Sequence, residues 1–207
     1  MTSNNPRATE FAERFEAAQE ELIRLVGSLD DEQWDRVGKN FPQRTNDEDE
    51  SRSVAVIAHH VAASGPFIME RIHLMLAGKP MPSVGDFRQR NASHAADNAG
   101  VTRDEVLKLL RETEGQIAAD VRAIPDDQLD MERPTPAGPM SVAMRLERVL
   151  IGHIHVHLGS IKAALEPGPA AFEVGGSSGH ACPGRVVPPD AALAPHRPLL
   201  QGAAAGP

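Results

Sequence analysis

The sequence contains no tyrosine, one tryptophan and six phenylalanines. So thin an aromatic complement argues against a base-stacking platform of the kind that grips single-stranded nucleic acid. Cysteine is almost as scarce. Cys182 stands alone, which excludes an internal disulfide and any cysteine-rich zinc module and fits a reducing cytosol. No uncharged apolar run approaches the length needed to cross a bilayer. The first residues, Met1-Thr2-Ser3-Asn4-Asn5-Pro6, lack the apolar centre of a signal peptide. Basic side chains are scattered and outnumbered, 21 against 29 acidic, for a formal net charge of −8. A phosphate backbone or an anionic membrane surface is therefore a poor partner. A nucleophile elbow, a P-loop, a dinucleotide fingerprint and a His-Glu-x-x-His motif are all missing. The expectation is a cytoplasmic protein that acts on small molecules, with no nucleic acid and no membrane as partner.

What the sequence does have is helical periodicity, four times over. In the first segment, about 8–26, Phe11, Phe15, Ala18, Leu22, Leu25 and Leu29 recur at helical spacing, with the glutamates largely off that stripe. Leu29-Asp30-Asp31-Glu32-Gln33-Trp34 reads as a capped short turn, and Trp34 is expected to seal one end of the core. A polar loop follows, whose acidic run Asn46-Asp47-Glu48-Asp49-Glu50 reads as solvated. The second segment, about 53–77, is apolar, with Pro66 predicting a kink or local break. Residues 83–100 read as a crossing loop, in which Asp86, Arg88, Asn91 and His94 are candidate pocket residues. Thr102-Arg103-Asp104-Glu105 is a capping box that opens the third helix. Its stripe runs Val106, Leu109, Leu110, Thr113, Ile117, Ala118, Val121, Ile124. Ser141 is a plausible N-cap for the fourth helix, which ends near Leu165 before Glu166-Pro167-Gly168-Pro169. From 167 onward, eight prolines and seven glycines among small residues show no lasting period. This predicts two parts: an all-α antiparallel four-helix bundle over 1–166 and a disordered, low-complexity tail over 167–207.

The chemistry-bearing stretch is Gly152-His153-Ile154-His155-Val156-His157 in the fourth helix. His153 and His157 are an i, i+4 pair on one face, while His155 points away. Two imidazoles at that spacing hold one divalent ion only if a third ligand arrives from elsewhere. The donor is sought in His59-His60 on the second helix, where periodicity favours His60 slightly over His59. An i, i+4 histidine pair by itself is more often a buried or surface feature than a ligand set. A third histidine on the apolar stripe of another helix shifts that balance, because converging buried imidazoles without a ligand are costly. Three neutral imidazoles suit Zn²⁺ best, with Ni²⁺ or Fe²⁺ as alternatives, and leave coordination positions open. His73 and His94 show no pattern and are expected to be exposed. His180 and Cys182 in the tail form a His-x-Cys pair with no second pair near it.

The ordered set of motifs resembles the DinB-like superfamily of metal-binding four-helix bundles over about 9–165. The first helix leads into Leu29-Asp30-Asp31-Glu32-Gln33-Trp34. The second carries Ser53-Val54-Ala55-Val56-Ile57-Ala58-His59-His60, where the family's Ser-Val-x-x-x-x-x-His falls on His60. The fourth carries His153-x-x-x-His157-x-x-x-Ile161, like the family's closing His-x-x-x-His. Arg52 stands where the family often has Trp. The resemblance implies a metal triad of His60, His153 and His157, and often a homodimer. It also implies a thiol-dependent S-transferase or isomerase that uses mycothiol, bacillithiol or glutathione, since characterised relatives include such enzymes. The alternatives are a metal-dependent hydrolase and a non-catalytic metal- or small-ligand-binding stress protein, because one fold hosts several functions.

Overall fold

The computed structural model describes residues 5–39, 52–83, 85, 87–136 and 138–166, with the side chains of 87 and 88 excepted. The acidic run 46–50, Asp86, the Arg88 side chain and the tail from 167 lie outside the described residues.

Helix α1 (Pro6–Ser28) starts with Pro at its first position, where the missing amide costs nothing. Its free first-turn amides are capped from far along the chain: the Asp126 carboxylate accepts from the amides of Arg7 and Ala8, both at 3.0 Å. Helix α2 (Asp31–Asp35) closes on a reciprocal capping box between Asp30 and Gln33. Trp34 is buried there, and its indole N–H donates to the Val101 carbonyl at 3.2 Å. A bridge between Val37 and Ser53 then ties the two ends of the following loop together. Helix α3 (Val54–Leu76) is capped by the Ser53 hydroxyl and continues through Pro66 as one element, so there is no local break there.

The segment 83–100 is not simply a loop, as its weak pattern suggested. It contains helix α4 (Phe87–Asp97), which has little apolar stripe of its own. Helix α5 (Arg103–Arg122) begins with the expected Thr102–Glu105 capping box. A 3-10 turn (Asp126–Gln128) and a two-residue hairpin, β1 (Glu132–Arg133) with β2 (Met140–Ser141), lead to helix α6 (Val142–Arg145). Ser141 is the N-cap, accepting from the Met144 amide at 3.1 Å. A π-helical stretch, Leu146–Ile151, joins α6 to α7 (Gly152–Leu165).

Side-chain links fix the directions of the four long segments. Gln19 reaches the Leu110 carbonyl and Asn5 the Arg122 carbonyl, so α1 and α5 run antiparallel. His60 meets His153 and His157, so α3 lies against α7. Lys162 bonds Glu21 and Arg14 bonds Glu147, so α1 runs parallel to the α6–α7 arm. The molecule is thus a four-helix bundle with α4 in the crossover, in which α1 and α3 each pack mainly against α5 and the α6–α7 arm. Helix α1 therefore stands diagonal to α3, and α5 to the arm, and neither pair forms a hairpin. The core includes Phe15, Leu22 and Leu110 of the expected first and third stripes, and Ile57, Ile72, Leu146, Leu150 and Ile161 are fully buried with them. Gly65 lets α3 and α5 approach, since a Cβ there would lie 2.7 Å from Ile117 Cδ1. Among the described residues no helix is long and apolar enough to cross a membrane.

Candidate metal centre

Three turns of α3 and α7 face each other around one point. His60 comes from the second turn of α3, and His153 and His157 are stacked on one side of α7. The His153 Nε2 atom lies 3.2 Å from His60 Nε2 and 3.1 Å from His157 Nε2. All three ligand atoms fall within 4.8 Å of one another. The rings stand nearly edge to face, at 68° between His60 and His153 and 90° between His153 and His157. Bonds of about 2.0–2.1 Å from one tetrahedral Zn²⁺ would separate neighbouring nitrogens by roughly 3.3 Å. Two of the three edges already match that spacing. His157 is completely buried, whereas His60 and His153 are half-buried. The closed side of the triad is therefore helix core, and its open side faces outward, where a further ligand can reach it.

The donor set fits a divalent ion on its own chemistry. A hydrogen-bonded cluster of three neutral imidazoles is awkward, because each Nε2 offers either a proton or a lone pair, never both. The central His153 nitrogen cannot serve two like neighbours equally well, while a cation satisfies all three lone pairs at once. Ser64 supports His60 from one turn on, donating to its carbonyl oxygen at 2.6 Å.

Beside the triad lies a second histidine pair. His59 Nδ1 and His94 Nε2 are 3.0 Å apart with their rings stacked, and the His94 ring meets His60 edge-on at 5.3 Å. His94 was expected to be exposed. It is half-buried instead, and its Nδ1 is shielded from solvent with no hydrogen-bond partner. Burial pushes the pKa of His59 down, with Glu105 opposing. Burial does the same to His94, helped by the positive groups of His59 and Arg52 and opposed by Asp97. His155, as expected, is exposed on the far side of α7, and His73 is exposed on α3 near Asp120. Asn91 is half-buried on α4 and does not join the cluster. His94 thus lies beside the triad, as one of the candidate pocket residues of 83–100, four residues after Arg90 on the same helical face.

A four-helix bundle with three histidines converging between two of its helices is a scaffold able to hold a metal ion on imidazoles. The family model described as the DinB superfamily matches residues 14–161, and the chain belongs to that superfamily. Among curated proteins, none matches the chain in sequence. Solved structures that share the fold include the following two. YfiT from Bacillus subtilis, described as a probable metal-dependent hydrolase with an unusual four-helix bundle topology, aligns with a TM-score of 0.59 at 21% identity, over 76% of this chain and 85% of its own. The mycothiol-dependent maleylpyruvate isomerase aligns with a TM-score of 0.57 at 12% identity, over 74% of this chain and 60% of that longer one. At these identities both likenesses concern the fold.

Proposed function

We propose that His60, His153 and His157 hold one divalent ion, Zn²⁺ by preference, and that the protein is a thiol-dependent S-transferase or isomerase acting on a small electrophile. The convergence of three imidazole nitrogens with an open outer side carries this reading. An ion so placed lowers the pKa of a bound thiol or water toward neutrality. The chain's own residues supply the rest. His157 shields the inner side of the centre from solvent. His60 is braced by Ser64 and by the edge of His94. Helix α4 brings His94 alongside the triad. No protein cysteine lies among the described residues, so the sulfur nucleophile has to come from a soluble thiol. A mycothiol-type cofactor suits that role, and the isomerase neighbour that shares the fold uses one.

A second reading is a metal-dependent hydrolase, favoured by the description of YfiT. A third is a metal-binding protein without turnover. One assay separates them. Zn²⁺-loaded protein is mixed with monochlorobimane and, in turn, mycothiol, bacillithiol and glutathione; the thiol sulfur bonds to the bimane methylene as chloride leaves. The thiol reading expects conjugation faster than with metal-free protein for at least one thiol. No acceleration with any of the three discards it. Chelator-sensitive ester or amide cleavage without thiol selects the hydrolase, and retained metal with neither activity selects the binding protein.

A further inference from the structure

At the other end of the α3–α6 seam the structure buries positive charge with no acid bonded to it among the described residues. Arg71 is 4% exposed and Arg145 is 7% exposed. Neither has a carboxylate partner among the described residues. Arg71 donates to the Pro82 carbonyl at 2.6 Å and stacks on the Phe67 ring at 4.4 Å. Arg90, from α4, lies over the same ring at 4.7 Å. The Arg145 Nε atom is shut off from solvent with no hydrogen bond. Burial, and after it the charge of Arg71, pushes the Arg145 pKa down. Arg71 in turn feels Arg90, and the one acid opposing, Glu70, is exposed on the other side of α3.

An arginine does not shed its proton in a protein, so this charge cannot be avoided by neutralisation. A buried charge without a counter-ion costs several kcal/mol unless a ligand supplies one. The guanidinium fork matches the paired oxygens of a carboxylate or phosphate. From this we infer an oxyanion-binding site between α3, α4 and α6, formed by Arg71 and Arg145 with Arg90 at its rim, which takes the carboxylate or phosphate group of a small molecule. In a chain of net charge −8, two arginines over one phenylalanine, with the buried Arg145 on the neighbouring α6, set positive charge together. Arg71 follows His60 by eleven residues, which places it about 16 Å along α3 and within about 20° of the same face. A ligand anchored by its anionic end at the arginines therefore extends toward the histidine triad. That last step rests on the metal reading; the anion site does not.

The test uses the full chain, metal-free, in thermal unfolding with sodium phosphate or sodium succinate against sodium chloride at matched ionic strength. The site predicts a rise of about 4 °C when either anion reaches ten times its Kd. A response to succinate alone identifies a carboxylate ligand, and a response to phosphate alone a phosphoryl ligand. Arg145→Met should abolish the rise while leaving the anion-free midpoint unchanged or higher, because an unpaired buried charge has gone. Arg90→Met, on the more exposed rim, should weaken anion binding about tenfold and keeps the test open if Arg145→Met does not fold. His153→Ala should keep the anion response, so failure of the metal centre and failure of this site are separable. No rise with either anion, or an equal rise in the Arg145→Met or Arg90→Met proteins, overturns the inference.

Discussion

Helices α1 and α5 are stitched to each other and to their neighbours at the water line, whereas α3 and the α6–α7 arm place their polar groups inside. Arg122 forks onto Glu16 at 2.8 and 2.6 Å, and Arg14 onto Glu147 at 2.7 and 2.6 Å, all on half-exposed side chains. Along α1 and α5 the apolar stripe is buried and the charges face out, and Thr102 opens α5 with a capping box. Helix α3 instead carries Pro66, a buried Arg71 and a half-buried His60. The arm opposite holds a π-helical stretch, a buried Arg145 and a completely buried His157. Most local rules agree in the first half of the bundle, the buried Gln19 and the distant cap of α1 apart, and several are broken in the second. Departures of that kind are expected where a binding site is built, with regular packing elsewhere offsetting their cost. The π-helical stretch belongs to the same pattern, since such insertions gather at functional sites.

The contrast can be broken from either side. The largest effect should come from the regular half. Phe15 is 1% exposed on α1, and Phe15→Ala should cost about 3–5 kcal/mol of unfolding free energy by denaturant titration. In the fraction that remains folded, metal content should stay at one ion per chain. Loss of metal in step with stability would show that the two halves are not separable. The reverse experiment is His153→Ala, which should weaken Zn²⁺ at least a hundredfold in chelator competition, about 2.7 kcal/mol, while the metal-free midpoint moves little. An unchanged metal affinity would remove the triad from the account.

The fold was legible in the sequence wherever local chemistry and tertiary packing agree. The stripes of α1 and α5, the two capping boxes and the Ser141 N-cap need nothing beyond their own neighbours. The histidine focus was legible for the same reason: His153 and His157 share a helical face whatever surrounds them, and His60 sits on an apolar stripe. Helix α4 was not legible, because 87–97 has almost no apolar stripe. Its contacts come from distant partners, His59 with His94 and Phe67 with Arg90. The cap on α1 was equally hidden, since Asp126 reaches it across 118 positions. Arg71 could be placed on the buried stripe of α3 from periodicity, but its lack of an acid partner is a property of three dimensions.

A smaller effect is expected at Gly152, where the π-helical stretch hands over to α7. A Cβ there would lie 3.1 Å from the Glu147 carbonyl oxygen, which belongs to backbone and gives way only by moving the turn. Gly152→Ala should therefore cost about 1–3 kcal/mol rather than gain the usual helix preference for alanine. Because His153 follows directly, metal affinity should fall with it. The same exchange at Gly115, in the regular half, meets nothing within 4 Å and should stabilise by about 0.4–1 kcal/mol. Equal effects at both glycines would erase the distinction between the halves.

The smallest effect tests what the surface forks contribute. The Arg122 guanidinium bonded to Glu16 holds that carboxyl below its ordinary pKa, with slight burial acting the other way. A carboxylate depressed in the folded state stabilises fully above its unfolded pKa, and the gain fades as pH falls through the folded value. Both side chains are more than a third exposed, so solvent screening holds the contribution to about 0.2–1 kcal/mol. Glu16→Gln should thus lower the melting midpoint by about 1–3 °C at pH 7. The gap should narrow steadily as the medium is acidified below the ordinary carboxylate range, and it should shrink in high salt at neutral pH. Metal affinity at pH 7 should not change, since no element of the triad touches this pair. A gap that survives strong acid would mean that Glu16 stabilises α1 by packing against α5, and that this half of the bundle owes little to charge.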